Sequence, residues 1–248
     1  MKMEMSMKVF RFAALALLAP CAVVANTTED IRAGGGAVIP SIGMSIDFAG
    51  NSTLQDHTSS SHAIDLGFSY AHAKRKQEHE LGDGPIVFGG QTFTGQQDIE
   101  WTSNIQLAHL GYRPRFWFGN SNWALEGVIG VGWAGLGIKG VGANGQSASE
   151  RLSNAGIVLG IGGIWRFGQA TSLQLRLLGF GSGKEEGVTS ASRWDLSVTH
   201  ALGKNFQLRG GLGILSASSA RENSDKTIVK SPIHASGGGL LLGLDFVF

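Results

Sequence analysis

The side chains able to do chemistry are few and scattered. Seven histidines (His57, His62, His72, His79, His109, His200 and His234) lie far apart along the chain. No HxH or HExxH spacing joins them, so no metal site is expected. Gly130-Val131-Gly132-Trp133-Ala134-Gly135 fits GxGxxG letter for letter. It opens no helix and no βαβ unit surrounds it, so its glycines read as small residues on one face of a strand. Asp195 and His200 share one segment but fall on opposite faces of it, too far apart for an acid–histidine pair. No catalytic, cofactor-binding or metal-binding residue is assigned, no cofactor is expected, and the chain is not expected to be an enzyme. What remains is a set of isolated charges inside otherwise apolar segments: Asp47, Asp65, Glu100, Glu126, Arg166, Arg176, Asp195, Arg209 and Asp245.

The segments that carry these charges alternate with period two, which places successive side chains on opposite faces of a strand. Nine such segments can be read. Their apolar stripes run Val38–Phe48, Ile64–Tyr70, Ile99–Leu107, Trp123–Trp133, Ile157–Phe167, Leu173–Leu177, Trp194–Val198, Phe206–Ile214 and Leu240–Phe248. The third stripe consists of Ile99, Trp101, Ile105 and Leu107. No stripe contains Asp, Glu, Lys or Arg, and every charge named above falls on the opposite one. A strand whose outer face meets lipid must be sorted this way, because Lys or Arg at the bilayer midplane costs about 2–4 kcal/mol. The second stripe is mainly Gly, Ala and Ser, not the Lys, Glu and Thr of a water-exposed sheet face. The expected fold is therefore all-β: a transmembrane antiparallel up-and-down β-barrel with the charges Asp65, Glu126, Arg166, Arg176, Asp195, Arg209 and Asp245 forming a network in its lumen. Aromatics near the stripe ends, such as Trp123, Trp133, Trp101 and Tyr112, suit two interfacial girdles.

Composition agrees with this reading. Only 16% of the 248 residues are charged, glycine is abundant at 38 residues and proline scarce at 5. Lys2, Lys8 and Arg11 precede an apolar run from Phe12 to Val24, and Val23-Val24-Ala25 supplies small residues for a signal peptidase. Residues 1–25 are expected to be a cleaved signal peptide, 26–36 a periplasmic N-terminal segment and 37–248 the barrel. A lipoprotein signal is the alternative, but Pro20 stands directly before Cys21, the only cysteine, against that processing. Removing the signal leaves 17 basic and 18 acidic residues, a net charge of −1. No basic excess invites nucleic acid. After the signal no run of 18 apolar residues offers a transmembrane helix.

Short turns at Gly119–Asn122, Gly168–Thr171 and Leu202–Asn205 alternate with longer polar connections at Lys139–Arg151, Gly181–Ser192 and Ala217–Ser231. In such barrels the short turns are periplasmic and the long loops external. Nine strands conflict with the even number expected of a bacterial single-chain barrel. Ten result if Pro85–Gly95 is a strand entered through a polar turn at Lys74–Gly84. Eight result if Ala37–Phe48 is left out, the strands then beginning near Ser61 and Lys74–Gln97 forming a tall extracellular hairpin. Ten is slightly favoured.

The last segment, Gly238-Gly239-Leu240-Leu241-Leu242-Gly243-Leu244-Asp245-Phe246-Val247-Phe248, resembles the C-terminal signature of Gram-negative outer-membrane proteins. Together with the leader and the alternating body, it makes the whole chain similar to small OmpA-like or OmpX-like barrels and the porin-type class. That resemblance implies the bacterial outer membrane as location and its lipid and lipopolysaccharide as surroundings. It also implies recognition of Leu244, Phe246 and Phe248 by the barrel-assembly machinery. Two functions stay open. One is a narrow passive pore for ions or small solutes with a weak cation preference, or the same lumen plugged by its own charge network. The other is a surface-interaction barrel acting through loops at Asn51–Ser60, Lys139–Arg151, Gly181–Ser192 and Ala217–Ser231. A lipid-modifying enzyme of the outer membrane is a minor alternative.

Overall fold

The computed structural model describes residues 31–49, 60–80, 83–118, 122–184, 186–219 and 233–248. The expected signal peptide, the loop at Asn51–Ser60 up to residue 59 and most of Ala217–Ser231 lie outside the described residues. Eleven strands are present: β1 Ile31–Ala49, β2 Ser61–His79, β3 Ile86–Phe88, β4 Gln91–Phe93, β5 Gln97–Trp117, β6 Trp123–Gly142, β7 Ser147–Arg166, β8 Thr171–Gly181, β9 Ser190–Ala201, β10 Phe206–Ser219 and β11 Ile233–Val247. No helix occurs among the described residues.

Nine of the strands close into one ring in the order β1-β11-β10-β9-β8-β7-β6-β5-β2. The order follows the chain, and neighbours run antiparallel everywhere except at the closure. There β1 lies parallel to β11, with Val38 beside Leu240 and Ile42 beside Leu244. The expectation of ten or eight strands is corrected to nine in the described ring. Alternating directions force an even number only if the first and last strands must also be antiparallel; one parallel seam admits an odd ring. Phe248 caps this seam, its N–H donating to the Ser45 carbonyl and its own carbonyl accepting from the Asp47 N–H.

Three further expectations change. Pro85–Gly95 is not a tenth strand of the ring but the small hairpin β3–β4, turning at Gly89 and Gly90, both in the left-handed region that glycine tolerates. The polar run Lys74–Glu80 is not a turn, since β2 continues to His79 and pairs with β5 from Ser61↔Arg115 to His79↔Gln97. Lys139–Arg151 is not a long loop either. Lys139 and Arg151 face outward on β6 and β7, which meet at a turn over residues 143–146. β1 begins at Ile31, six residues before the expected barrel start, at the end of the ring that holds β2–β5, β6–β7 and β8–β9 connections. Phe248 lies at the opposite end, with the short turns.

Most stripes read as apolar point outward, and the exposed large hydrophobics include Val38, Ile64, Leu125, Val131, Ile157, Leu196, Leu212 and Leu240. They form a belt around the half of the ring nearer the short turns. On β6 the belt extends from Trp123 to Trp133, about 33 Å along the strand and about 25 Å along the axis at a typical tilt. Its short-turn edge is aromatic: Trp123 stacks on Trp165 at 5.4 Å, and Phe206 meets Phe246 at 5.3 Å. Trp133 and Trp194 stand near the other edge, both exposed.

The third stripe is the exception. Ile99, Trp101, Ile105 and Leu107 are wholly buried inside the ring, and Glu100, expected inside, faces out, where it pairs with Lys74 at 3.8 Å. Outside the belt, beyond its far edge, the ring is polar on its outer face and apolar within, as a water-exposed domain would be. Here Trp101 packs over Gly140, where no Cβ could fit, and edge-on to Phe88 at 5.3 Å and Phe93 at 5.9 Å of the hairpin. Ile86, Phe88 and Phe93 are buried with Leu136, Ile138, Phe180, Val188 and Leu215 in one core. This core fills the lumen at the end with the longer connections.

Candidate functional site: the charged interior

The other half of the lumen, encircled by the belt, is filled by ionic side chains. All seven predicted network residues (Asp65, Glu126, Arg166, Arg176, Asp195, Arg209 and Asp245) are turned inward, and all but Asp245 are buried. Each comes from a different position in the ring, because the inward parity of every strand contributes one or two residues at this level.

Arg176 of β8 joins two of the carboxylates. Its Nη2 and Nε both donate to Glu126 Oε1 of β6 at 2.9 Å, and its Nη1 lies 3.7 Å from Asp65 Oδ2 of β2, across the ring. Glu126 also accepts from Gln174 Nε2 at 2.8 Å and pairs with Arg115 at 3.3 Å. Asp65 is held by Arg113 at 3.2 Å and by His109 Nε2 at 3.0 Å. Gly67 leaves the space that the His109 ring occupies. Arg209 binds Asp245 at 2.9 Å, and Arg193 binds Asp195 at 2.6 Å while also reaching Ser69 of β2. Arg166 lies over the Trp117 ring, 3.5 Å from its centroid. A charge removed from water costs several kcal/mol, so each of these groups is stable here only through its partners.

Arg113, Arg115, Arg193 and His109 belong to this network and sequence reasoning missed them. Arg113 and Arg115 share the parity of Ile99 to Leu107, so assigning that stripe to the outside also put them outside. Arg193 shares the parity of Asp195, and this signal was available. The charge balance changes accordingly. A cavity of about 90 Å³ on the short-turn side is lined by Arg113, Arg115, Arg166, Arg176, Arg193 and Arg209, with only Asp47, Asp65 and Asp245 as carboxylates. The lining is basic, and the expected weak preference for cations is not supported by it.

Other predicted positions lie apart. Asp195 is buried inside β9 while His200 is exposed outside, where it contacts Thr171 at 2.8 Å. Gly130 and Gly132 are inward glycines of β6, pressed against the backbone of Leu110 and Ala108. Among the described residues no group of three His, Cys, Asp or Glu side chains could hold a metal ion. Leu244 and Phe246 share the outer face of β11, and Phe248, just past its end, is exposed at the short-turn rim. No family model, curated protein or solved structure matches the chain.

Proposed function

We propose that this chain is an integral outer-membrane β-barrel of the small Gram-negative type, with a closed lumen, that works through its projecting outer rim. The observation that carries this reading is the belt. From Ile46 to Val38, Tyr112 to Leu110, Trp123 to Trp133 and onward round to Leu240, its outward positions hold no Asp, Glu, Lys or Arg. Its height of about 25 Å is that of the apolar band of such barrels. Short turns then face the periplasm, and β2, β5, β6 and β7, at 19 to 21 residues, rise past the belt on the outside, while β8 and β9 have 11 and 12. The outer face of this tall wall carries His72, Lys74, Asn104, Lys139 and Arg151. Filling of the lumen by an apolar core on one side and an ionic network on the other favours a closed barrel over a pore.

Two measurements test this. Ile129→Arg, near the middle of the belt, should lower stability in detergent or lipid by about 2–4 kcal/mol and block the heat-modifiable folded form, whereas Ser153→Arg, outward but beyond the belt, should not. Equal tolerance would remove lipid from the outer face. Refolded protein in a planar bilayer should be electrically silent; stable stepwise currents would establish the pore instead.

A further inference from the structure

Beyond the belt, the outer face of the tall wall made by β2, β5, β6 and β7 is sorted by charge along its height. Cations come first. Lys74 stands six residues past Phe68 on β2, Lys139 six past Trp133 on β6, and Arg151 six from Ile157 on β7, and all three are exposed. The carboxylates of the same faces come later. Glu78 is ten residues past Phe68, and Glu100 and Asp98 are ten and twelve from Leu110. The outward positions between belt and cations hold no Asp, Glu, Lys or Arg. There the Tyr70 hydroxyl donates to Asn104 Oδ1 at 2.6 Å, and His72 Nδ1 meets the same oxygen at 2.7 Å.

The ladders gather the cations. Lys139 pairs with Ser149 and Gly137 with Arg151, so Lys139 and Arg151 are diagonal neighbours about 7–8 Å apart. Lys74 shares a row with Thr102 and Lys139, two strand spacings or roughly 10 Å from the latter. Like charges this close on one face repel. Among the described residues Lys74 has only its exposed pair with Glu100 at 3.8 Å, a contact worth little in water, and no carboxylate pairs with Lys139 or Arg151. An anion from outside the chain would relieve the repulsion. Height says which anion. Six residues rise about 20 Å along a strand and about 15 Å along the axis at a typical tilt. A glycerophospholipid headgroup extends only about 5–8 Å past the hydrocarbon, below these cations even with their stems bent toward the membrane. Phosphates carried on lipid-linked sugars stand higher.

On the reading proposed above, in which the belt lies in lipid, we infer that Lys74, Lys139 and Arg151 bind the sugar-borne phosphates of lipopolysaccharide in the outer leaflet.

The test refolds the full mature chain into phosphatidylcholine vesicles, where heat-modifiable mobility reports whether the barrel forms. Failure to fold there sinks the membrane reading and the site with it; once the barrel folds, the remaining arms test the site alone. The vesicles are doped with rough lipopolysaccharide that keeps its inner core, with the same lipopolysaccharide stripped of phosphate, or with phosphatidylglycerol, at constant ionic strength and without divalent cations. After extraction in mild detergent, the lipid that stays with the folded protein is counted by native mass spectrometry. Retention of the phosphorylated lipopolysaccharide should exceed that of either other lipid by about tenfold. Each Lys or Arg near an anionic membrane surface favours it by roughly fivefold, so Lys139→Gln with Arg151→Gln should lower this retention by about tenfold or more. Both side chains are exposed, so the ring should still close. Lys139→Arg should keep the retention. Lys204→Glu, in the turn at the opposite end, makes the same change in net charge as the double variant and should have no effect. Equal retention of the three lipids, or equal retention by wild type and the folded double variant, overturns the site.

Discussion

Glu126 shows most directly what a buried charge does in this molecule. It takes hydrogen bonds from Arg176 and Gln174 of β8 and pairs with Arg115 of β5, so two other strands converge on one carboxylate. Replacing it with Gln keeps the shape and removes the charge, leaving Arg176 with Asp65 alone at 3.7 Å. Breaking a buried pair from one side costs about 3–5 kcal/mol, so Glu126→Gln should unfold in urea with that loss of stability. Adding Arg176→Gln to it should cost less than the sum of the two single changes, and a strictly additive double mutant would mean the pair is not coupled. The inward parity of Arg176 and Asp195 was legible from the sequence because each sits between two outward apolar neighbours, and that of Glu126 because it breaks no apolar position of the Trp123–Trp133 stripe. Arg113 and Arg115 were not, because Pro114 and the reversal within β5 hide their face.

That reversal belongs to the scale of the element. β5 exposes Leu110, Tyr112 and Phe116 near one end and buries Ile99, Trp101, Ile105 and Leu107 near the other. The apolar residues of β5 thus pass from its outward to its inward positions along its length, so a single apolar stripe cannot describe it. The hairpin β3–β4 completes the buried side by setting Phe88 and Phe93 against Trp101. Trp101→Ala should therefore leave a cavity under the hairpin and cost about 3–5 kcal/mol. It should also expose residues 83–96 to protease while the belt half of the ring stays protected. Cleavage no faster than in wild type would show that the hairpin is held by other contacts, among them the bonds from Gln146 to Gln91 and the Thr92 carbonyl.

At the scale of the whole molecule, the parallel seam is what makes nine strands close. Val38 and Leu240 are neighbours across it and both face outward. With Cys21 the only natural cysteine, a Val38→Cys, Leu240→Cys pair offers a clean probe of closure. Mild oxidation should cross-link it within the folded protein, whereas Val38→Cys with Leu196→Cys should not react. A ring that closed β2 directly on β11 would reverse the first result.

The sequence by itself determined that the chain folds into strands, which face of most of them is apolar, and that their charges are gathered on the other. These follow from period-two patterning, a local property of each segment. It also determined, through alternation and turn lengths, that the last strand runs toward the end with the short turns and finishes at Phe248. Only the tertiary structure decided what Phe248's strand closes against, how many strands the ring holds, and where each strand leaves the belt. Closure depends on a register between the two ends of the chain, and register is set by pairing across space. The switch of faces in β5 likewise depends on how far the strand rises past its neighbours, which no single segment encodes.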